Sequence, residues 1–375
     1  MAELKLTREI LEAAVLGASV LGGGDADSLE AALELGELAL RMGEPVLVDV
    51  DDVNPEGTVI TASSVSCPRV EDPYLSGRSY IRSMELLLEN GVERPVGLIS
   101  NECNEAGVVH GWLEGAVLGI PVVDAPCNGR AHPTSEMGSM GLHLVEGYVS
   151  VSAFCGGNPD HKRSVEGVFR GSVETVSSMV RHAACTAGGI LAVARNPVKA
   201  SYLRENGAPG AIKQAIRLGN AMKEAAPEGG EAVIQAAADA LSGSVIYRGR
   251  IDGVDRFTAG GMISGKAVSR EWELTFWKDY MTVDEGERRV ATFPDLITVF
   301  DEETGKVISS ENIAPGMNVA ILAVPRSNLL LGCGMRSPAL FEPAEKSGKS
   351  IVQYRICSIS RGAKSLRRLN PKSAP

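Results

Sequence analysis

Pro95-Val-Gly-Leu-Ile-Ser-Asn-Glu-Cys-Asn-Glu105 and Ile120-Pro-Val-Val-Asp-Ala-Pro-Cys-Asn-Gly-Arg-Ala-His-Pro133 decide the fold class of this chain. Each is an apolar run followed at once by a cluster of reactive side chains. Pro95–Ser100 and Ile120–Asp124 read as buried strands, and Glu105–Leu118 reads as a helix ending at Gly119. Together they make a βαβ unit, whose strands run parallel. Both polar runs then leave the sheet at the same carboxyl edge, where open α/β sheets hold ligands.

On the amino side, Thr7–Leu21 reads as a helix running into Gly22-Gly23-Gly24-Asp25. Asp27 and Glu30 resemble a capping box for an amphipathic helix over Asp27–Met42, closed by Gly43. Pro45–Val50 and Thr58–Ala62 read as strands, and Tyr80–Leu88 as part of a helix closed by Gly91. On the carboxyl side, Glu146–Phe154 reads as a strand and Cys155–Pro159 as a loop. Ser172–Cys185, Ala208–Ala225 and Glu231–Leu241 read as helices. From Ser242-Gly243 the texture changes to short β-type runs separated by Gly, Asp and Asn turns. The expected architecture is α/β. Residues 1–242 form an α/β domain around the parallel unit, with a helical section over about 172–241. Residues 243–358 form a β-rich domain, and 359–375 a flexible basic tail.

The chain has 375 residues, 44% hydrophobic and 22% charged, which suits a large globular core. Its net charge of −10 argues against nucleic acid as the main partner. Lys5, Arg8, Glu9 and Glu12 interrupt any apolar leader, and no stretch is long enough to span a bilayer, so a cytoplasmic location is expected. The seven cysteines form no CxxC pair, which argues against a disulfide framework or a structural zinc site. Self-association is expected from a β-rich domain with open edges.

The loop after the second strand concentrates Asp124, Cys127, Asn128, Arg130, His132 and Glu136 in thirteen residues, stiffened by Pro126, Gly129 and Pro133. Arg130 suits a carboxylate or ring carbonyl, and His132 suits proton transfer near neutrality. Cys127 is a nucleophile if its proton is drawn away. A structural loop in which Arg130 pairs with Asp124 is the plainer alternative. The loop after the first strand offers Asn101, Glu102, Cys103 and Asn104 before a helix, whose amino end lowers a thiol pKa; Asn101 or Asn104 can equally cap that helix. Gly22–Asp25, with Gly23 and Gly24 at its centre, reads either as a nest of backbone amides or as a helix–helix connector. Ser63–Pro68 reads as a polar turn or as a source of hydroxyls at the same edge. His110 lies inside the helix.

Three motifs carry a resemblance. Gly17-Ala18 with Leu21-Gly22-Gly23-Gly24-Asp25, then Val123-Asp124 with Gly129-Arg130-Ala131-His132-Pro133, then Phe293-Pro294-Asp295-Leu296-Ile297 with Asp301 and Thr304-Gly305 resemble the S-methyl-thiohydantoin desulfurase family over about residues 7 to 345. That resemblance implies two domains and a reaction on a five-membered cyclic imide or thio analogue, with water replacing methanethiol to leave a hydantoin. This chain departs from the family pattern at Pro126-Cys127-Asn128, at His132 and at Cys103. The function expected is therefore a hydrolase for a small cyclic imide, amide or S-methyl-thiohydantoin-like ring. Arg130 holds the substrate, with Asn128, Gly23, Gly24, Asp25, Asn101 and Glu102 around it. The Gly22–Gly24 amides face the oxyanion. Cys127, or a water activated by His132 and Asp124, attacks, and Cys103 is the rival nucleophile. No cofactor is required. A divalent metal on Asp124, His132 and Glu136, or a non-catalytic subunit of a hydantoinase-type complex, are the alternatives.

Overall fold

The parallel unit forms, inside a larger mixed sheet. The protein is seen in a computed structural model, described for residues 3–25, 28–67, 71–259 and 262–341. Asp27, Pro68 and everything beyond Phe341, including the expected tail, lie outside the described residues. The first strands and helices are β1 (Leu4–Lys5), α1 (Arg8–Leu21), α2 (Leu29–Met42), β2 (Val46–Val48), β3 (Thr58–Ser66), α3 (Gly77–Glu89), β4 (Gly97–Ser100), α4 (Trp112–Leu118) and β5 (Val122–Val123). There follow β6 (Ser150–Gly156), β7 (Val165–Gly171), α5 (Val173–Thr186), β8 (Ile190–Lys199), α6 (Ala200–Asn206), α7 (Ala211–Ala225) and α8 (Gly230–Ala240). Among the described residues these strands make an eight-stranded sheet in the order β1-β2-β5-β4-β3-β8-β6-β7. Its centre, β2-β5-β4-β3, is parallel, and β8, β6 and β7 continue it antiparallel.

The carboxyl half is antiparallel throughout. Strand β9 (Ser244–Arg250) is followed by β10 (Gly253–Ala259), β11 (Met262–Ser269), β12 (Trp272–Trp277), β13 (Asp279–Glu285) and β14 (Arg288–Thr292). Then come β15 (Leu296–Asp301), β16 (Val307–Ile308) and β17 (Asn318–Val324). They form a five-stranded sheet, β10 to β14 in order, and a four-stranded sheet, β16-β15-β17-β9.

Several elements differ from the sequence reading, for local reasons. Ser63–Ser66 is not a turn. It continues β3, because Ser63 and Ser66 pair with Val193 and Ile190 of β8, a strand the sequence reading passed over. Cys155 lies in β6, which begins at Ser150 and pairs with β7. The helix of the parallel unit is interrupted. A 3-10 turn over Gly107–Val109 ends where His110 turns extended and Gly111 takes φ +86°, and α4 starts only at Trp112. Ser28 caps α2 by accepting from the Ala31 amide. Two cysteines are also paired, which corrects the reading of the thiols as unlinked: Cys67 and Cys185 form a disulfide, with Cα atoms 5.1 Å apart. The pairing of β3 with β8 brings them together, and the Cys67 amide donates to the Gly189 carbonyl just past α5.

Helix α1 crosses α7 at backbone contact. A Cβ built on Gly219 would lie 1.8 Å from the Ala13 carbonyl oxygen, and one on Gly17 would lie 1.9 Å from that of Ala215. Helix propensity alone favours alanine over glycine by about 1 kcal/mol. Here the obstacle is backbone, which no rotamer change relieves, so the helices must part. Gly219→Ala is expected to destabilise the protein by about 1–3 kcal/mol in urea unfolding despite that propensity. A gain in stability would show that the two helices are not this close.

Candidate active site

At the carboxyl edge of the parallel strands, charged and polar side chains from distant segments meet below the surface. Asn101 and Glu102 follow β4, Arg130 and His132 follow β5, Arg195 lies on β8, and Lys278 sits in the turn between β12 and β13. Asp25 is the last described residue of the glycine turn that follows α1. The first expectation, that the two polar loops emerge side by side, is met: the Cys127 amide donates to the Ser100 carbonyl, and the His132 amide donates to Glu102 Oε2 at 2.9 Å.

Arg130 is fully buried and fully engaged. Its Nε donates to the Ala131 carbonyl, Nη1 to the carbonyls of Pro294 and Asp295, and Nη2 to Asp279 Oδ2 at 3.3 Å. Its guanidinium stacks 5.0 Å from the Phe293 ring centre. It therefore joins the first sheet to the carboxyl-terminal strands, and these bonds leave little of the fork for a ligand. Gly23 is part of the same knot, since a Cβ there would come 2.7 Å from Arg130 Nη2. A Cβ on Gly24 would strike the Tyr280 ring at 2.5 Å. The carbonyls of Gly23 and Gly24 accept from Tyr280 and Ser310, while the Gly22 and Gly23 amides bond back to Ala18 and Val20. The turn is a connector between sheets, and of the Gly22–Gly24 amides expected to face an oxyanion, those of Gly22 and Gly23 are occupied.

Asn128 also braces the loop. It donates to the Arg130 carbonyl and accepts from the Gly332 amide. Asp124 is held by α7. Its Oδ1 accepts from the amides of Ile212 and Lys213 in the first turn of α7, and burial pushes its carboxyl up to about 6. Among the described residues no three His, Cys, Asp or Glu side chains converge as a metal set, so Asp124, His132 and Glu136 do not form the ligand group that a metal-assisted route needs.

The thiols are sealed. Cys103 is 0% exposed, and burial drives its pKa well up; the helix end expected to lower it is absent, since only a 3-10 turn over Gly107–Val109 follows. Cys127 lies 3.4 Å from the Thr61 hydroxyl, and burial pushes it up to about 11. At neutral pH roughly one such thiol in ten thousand is thiolate. His110 is likewise buried beside Tyr80, and burial lowers it to about 3.

What remains as reactive chemistry is a chain of three groups. Arg195 Nη2 donates to Asn101 Oδ1 at 2.8 Å, which fixes the amide, and Asn101 Nδ2 then faces His132 Nε2 at 3.2 Å. An amide N–H in that position makes Nε2 the acceptor, so the imidazole proton sits on Nδ1, which is buried and has no partner among the described residues. Burial lowers the His132 pKa and keeps the ring neutral. Glu102 Oε2 lies 3.6 Å from His132 Nε2. Glu102 and Lys278 are the solvent-facing members, with side chains 15% and 34% exposed, and Lys278 Nζ pairs with Asp25 Oδ2 at 2.8 Å. Asp25 also accepts from Asn104.

Lys278, Asp279, Thr61 and Arg195 were missed from the sequence. A signal existed only for Lys278-Asp279, a charged pair between two β-type runs. Two surface cavities lie apart from this cluster. One of about 340 Å³ is lined by Tyr74, Ser76, Ser79, Cys155 and Glu166 among others. The other, about 520 Å³, includes Leu142, Tyr148, Val198 and Tyr202, which share an apolar cluster with Cys127.

The comparisons agree with this architecture. A crystal structure of a protein from Chromobacterium violaceum superposes with a TM-score of 0.66 at 18% identity, covering 93% of this chain and 98% of that one, which shows a shared fold. No curated protein sequence matches. The S-Me-THD-like N-terminal domain matches residues 9–160, and the S-Me-THD-like C-terminal domain matches residues 171–341. With both halves of that pattern present in order, the chain belongs to the S-methyl-thiohydantoin desulfurase-like family.

Proposed function

We propose that this protein hydrolyses the C–S bond of an S-methyl-thiohydantoin or a closely related five-membered ring, by direct attack of water. Family membership supports the ring class. The observation that carries the mechanism is the Arg195–Asn101–His132 chain beside Glu102, set against thiols that burial holds protonated. Glu102 is an acid within reach of solvent beside His132, and it takes a proton from water as the oxygen bonds to the ring carbon between the two nitrogens. The C–S bond then breaks, and the proton held by Glu102 passes to the departing sulfur, giving methanethiol and a hydantoin. His132 Nδ1–H donates to the ring and steadies the charge that builds on it. Neither thiol forms a covalent bond to the substrate.

The test is a product analysis. Purified protein with a 5-substituted S-methyl-thiohydantoin is expected to release one thiol per hydantoin, the ring intact by mass. A ring-opened product without thiol would reassign the enzyme to C–N hydrolysis. No turnover across a panel of such rings would remove the reading altogether.

A further inference from the structure

Among the described residues the three sheets end in six edge strands, and five of them are guarded against pairing with another chain. β1 and β16 pair over two residues each. β14 and β9 join their neighbours through a shifted register. β10 is regular over seven residues, but its midpoint is Arg256, so pairing with its own copy would set like charges opposite. The sixth edge, β7, differs. It pairs with β6 over Val165–Gly171 without a register shift, it contains no proline, and no described strand lies on its outer side. Its two charges, Glu166 and Arg170, are exposed and four residues apart, so they share one face. Arg82 donates to both Glu166 oxygens and Arg170 donates to the Asn90 carbonyl, which holds both side chains on the α3 side of the strand.

We propose that β7 is the dimerisation edge of this protein: it pairs antiparallel with β7 of a second copy, centred on Val168, and joins two eight-stranded sheets into one. The strand is complementary to its own reversal in that register. Val168 meets the partner's Val168, and Glu166 meets the partner's Arg170, twice by symmetry. On the other face Gly167 meets the partner's Phe169. Phe169 already packs on Phe154 at 4.9 Å, and Phe154 lies opposite Gly167 within the sheet, so the partner's ring extends an aromatic row across the join. Val168 and Phe169 are only half-buried in one chain. Val165 meets the partner's Gly171, which brings the start of the partner's α5 to the rim of the cavity of about 340 Å³ at Val165 and Glu166. The pairing does not depend on the reaction proposed above.

Sedimentation velocity on the whole protein at micromolar concentrations tests it. Wild type is expected at twice the mass of one chain. Arg170→Glu sets glutamate against glutamate and Glu166→Arg sets arginine against arginine, so each alone is expected to weaken dimerisation about 10- to 100-fold. Mixed in equal amounts, the two variants restore opposite charges at both contacts, and a mixed dimer is expected where neither variant pairs with itself. Both positions are exposed, and cooperative urea unfolding shows that each variant is folded. A monomeric wild type overturns the proposal. A dimer that both folded variants leave intact overturns it too, because association then runs through another face. Folded variants that fail to associate on mixing overturn the register. Hydrogen exchange needs no variant: the β7 amides are expected to exchange more slowly as wild type is concentrated into the dimer, and exchange there that ignores concentration overturns the proposal.

Discussion

Arg130→Met is expected to cost about 3–5 kcal/mol of stability in urea unfolding, because it leaves a buried acid without its partner. The guanidinium is bonded to Asp279, whose Oδ1 lacks a hydrogen bond among the described residues. Removing it also orphans the carbonyls of Pro294 and Asp295, which the same side chain ties to the first sheet. Burial pushes the Asp279 carboxyl up, against the pull of Arg130, and without Arg130 it moves further up. A carboxyl whose folded pKa lies above its unfolded value favours the folded state at low pH and loses that contribution as pH rises. Wild type and variant lose it in parallel while Asp279 stays protonated in both, so the deficit of the variant is expected to be flat below about pH 8, where the wild-type carboxyl sits, and to widen above it. Adding Asp279→Asn should recover part of the loss, since an amide can be buried without ionising. A loss under about 1 kcal/mol, or a double variant no more stable than the single one, contradicts the assignment. A substrate clamp behaves differently: its removal raises KM and leaves unfolding alone.

That contrast also marks what the sequence could reveal. The parallel unit was legible because apolar runs and glycine punctuation are local signals: Gly119 at φ +65° ends α4 where expected, and β4 and β5 pair. Arg130 was legible as a special residue but not as a structural one. Its partners Asp279, Pro294 and Asp295 lie about 150 or more positions away, and nothing near Arg130 announces them. Strand β8 hid for a related reason. Buried on both faces, Leu191–Ala194 reads as an apolar stretch without alternation, and Arg195 follows as a lone charge. The burial of the thiols was not legible, because it is set by distant segments; at Cys103 the expected helix start gives way to a 3-10 turn at Gly107–Val109, and burial raises the thiol pKa. Asp124 shows the same limit, as the α7 amides that it accepts from lie 88 and 89 residues away.

Glu102→Gln is expected to lower kcat by about 10²- to 10⁴-fold with little change in KM or in unfolding. Glutamine keeps the shape of the side chain, and its carbonyl oxygen can still accept from the His132 amide, now 2.9 Å from Glu102 Oε2. Only the ability to take a proton from water is lost. Cys127→Ala gives the opposing measurement. If water attacks directly, that variant keeps most of its turnover, because its thiol sits against Thr61 at a pKa near 11 and contributes almost no thiolate at pH 7. If the thiol were the nucleophile, Cys127→Ala would abolish turnover and a thioimidate adduct would be trapped by mass in Glu102→Gln. With Cys103→Ala measured alongside, loss at Glu102 with retention at both cysteines means general-base hydrolysis, because the Glu102 side chain is within reach of solvent and both thiols are sealed.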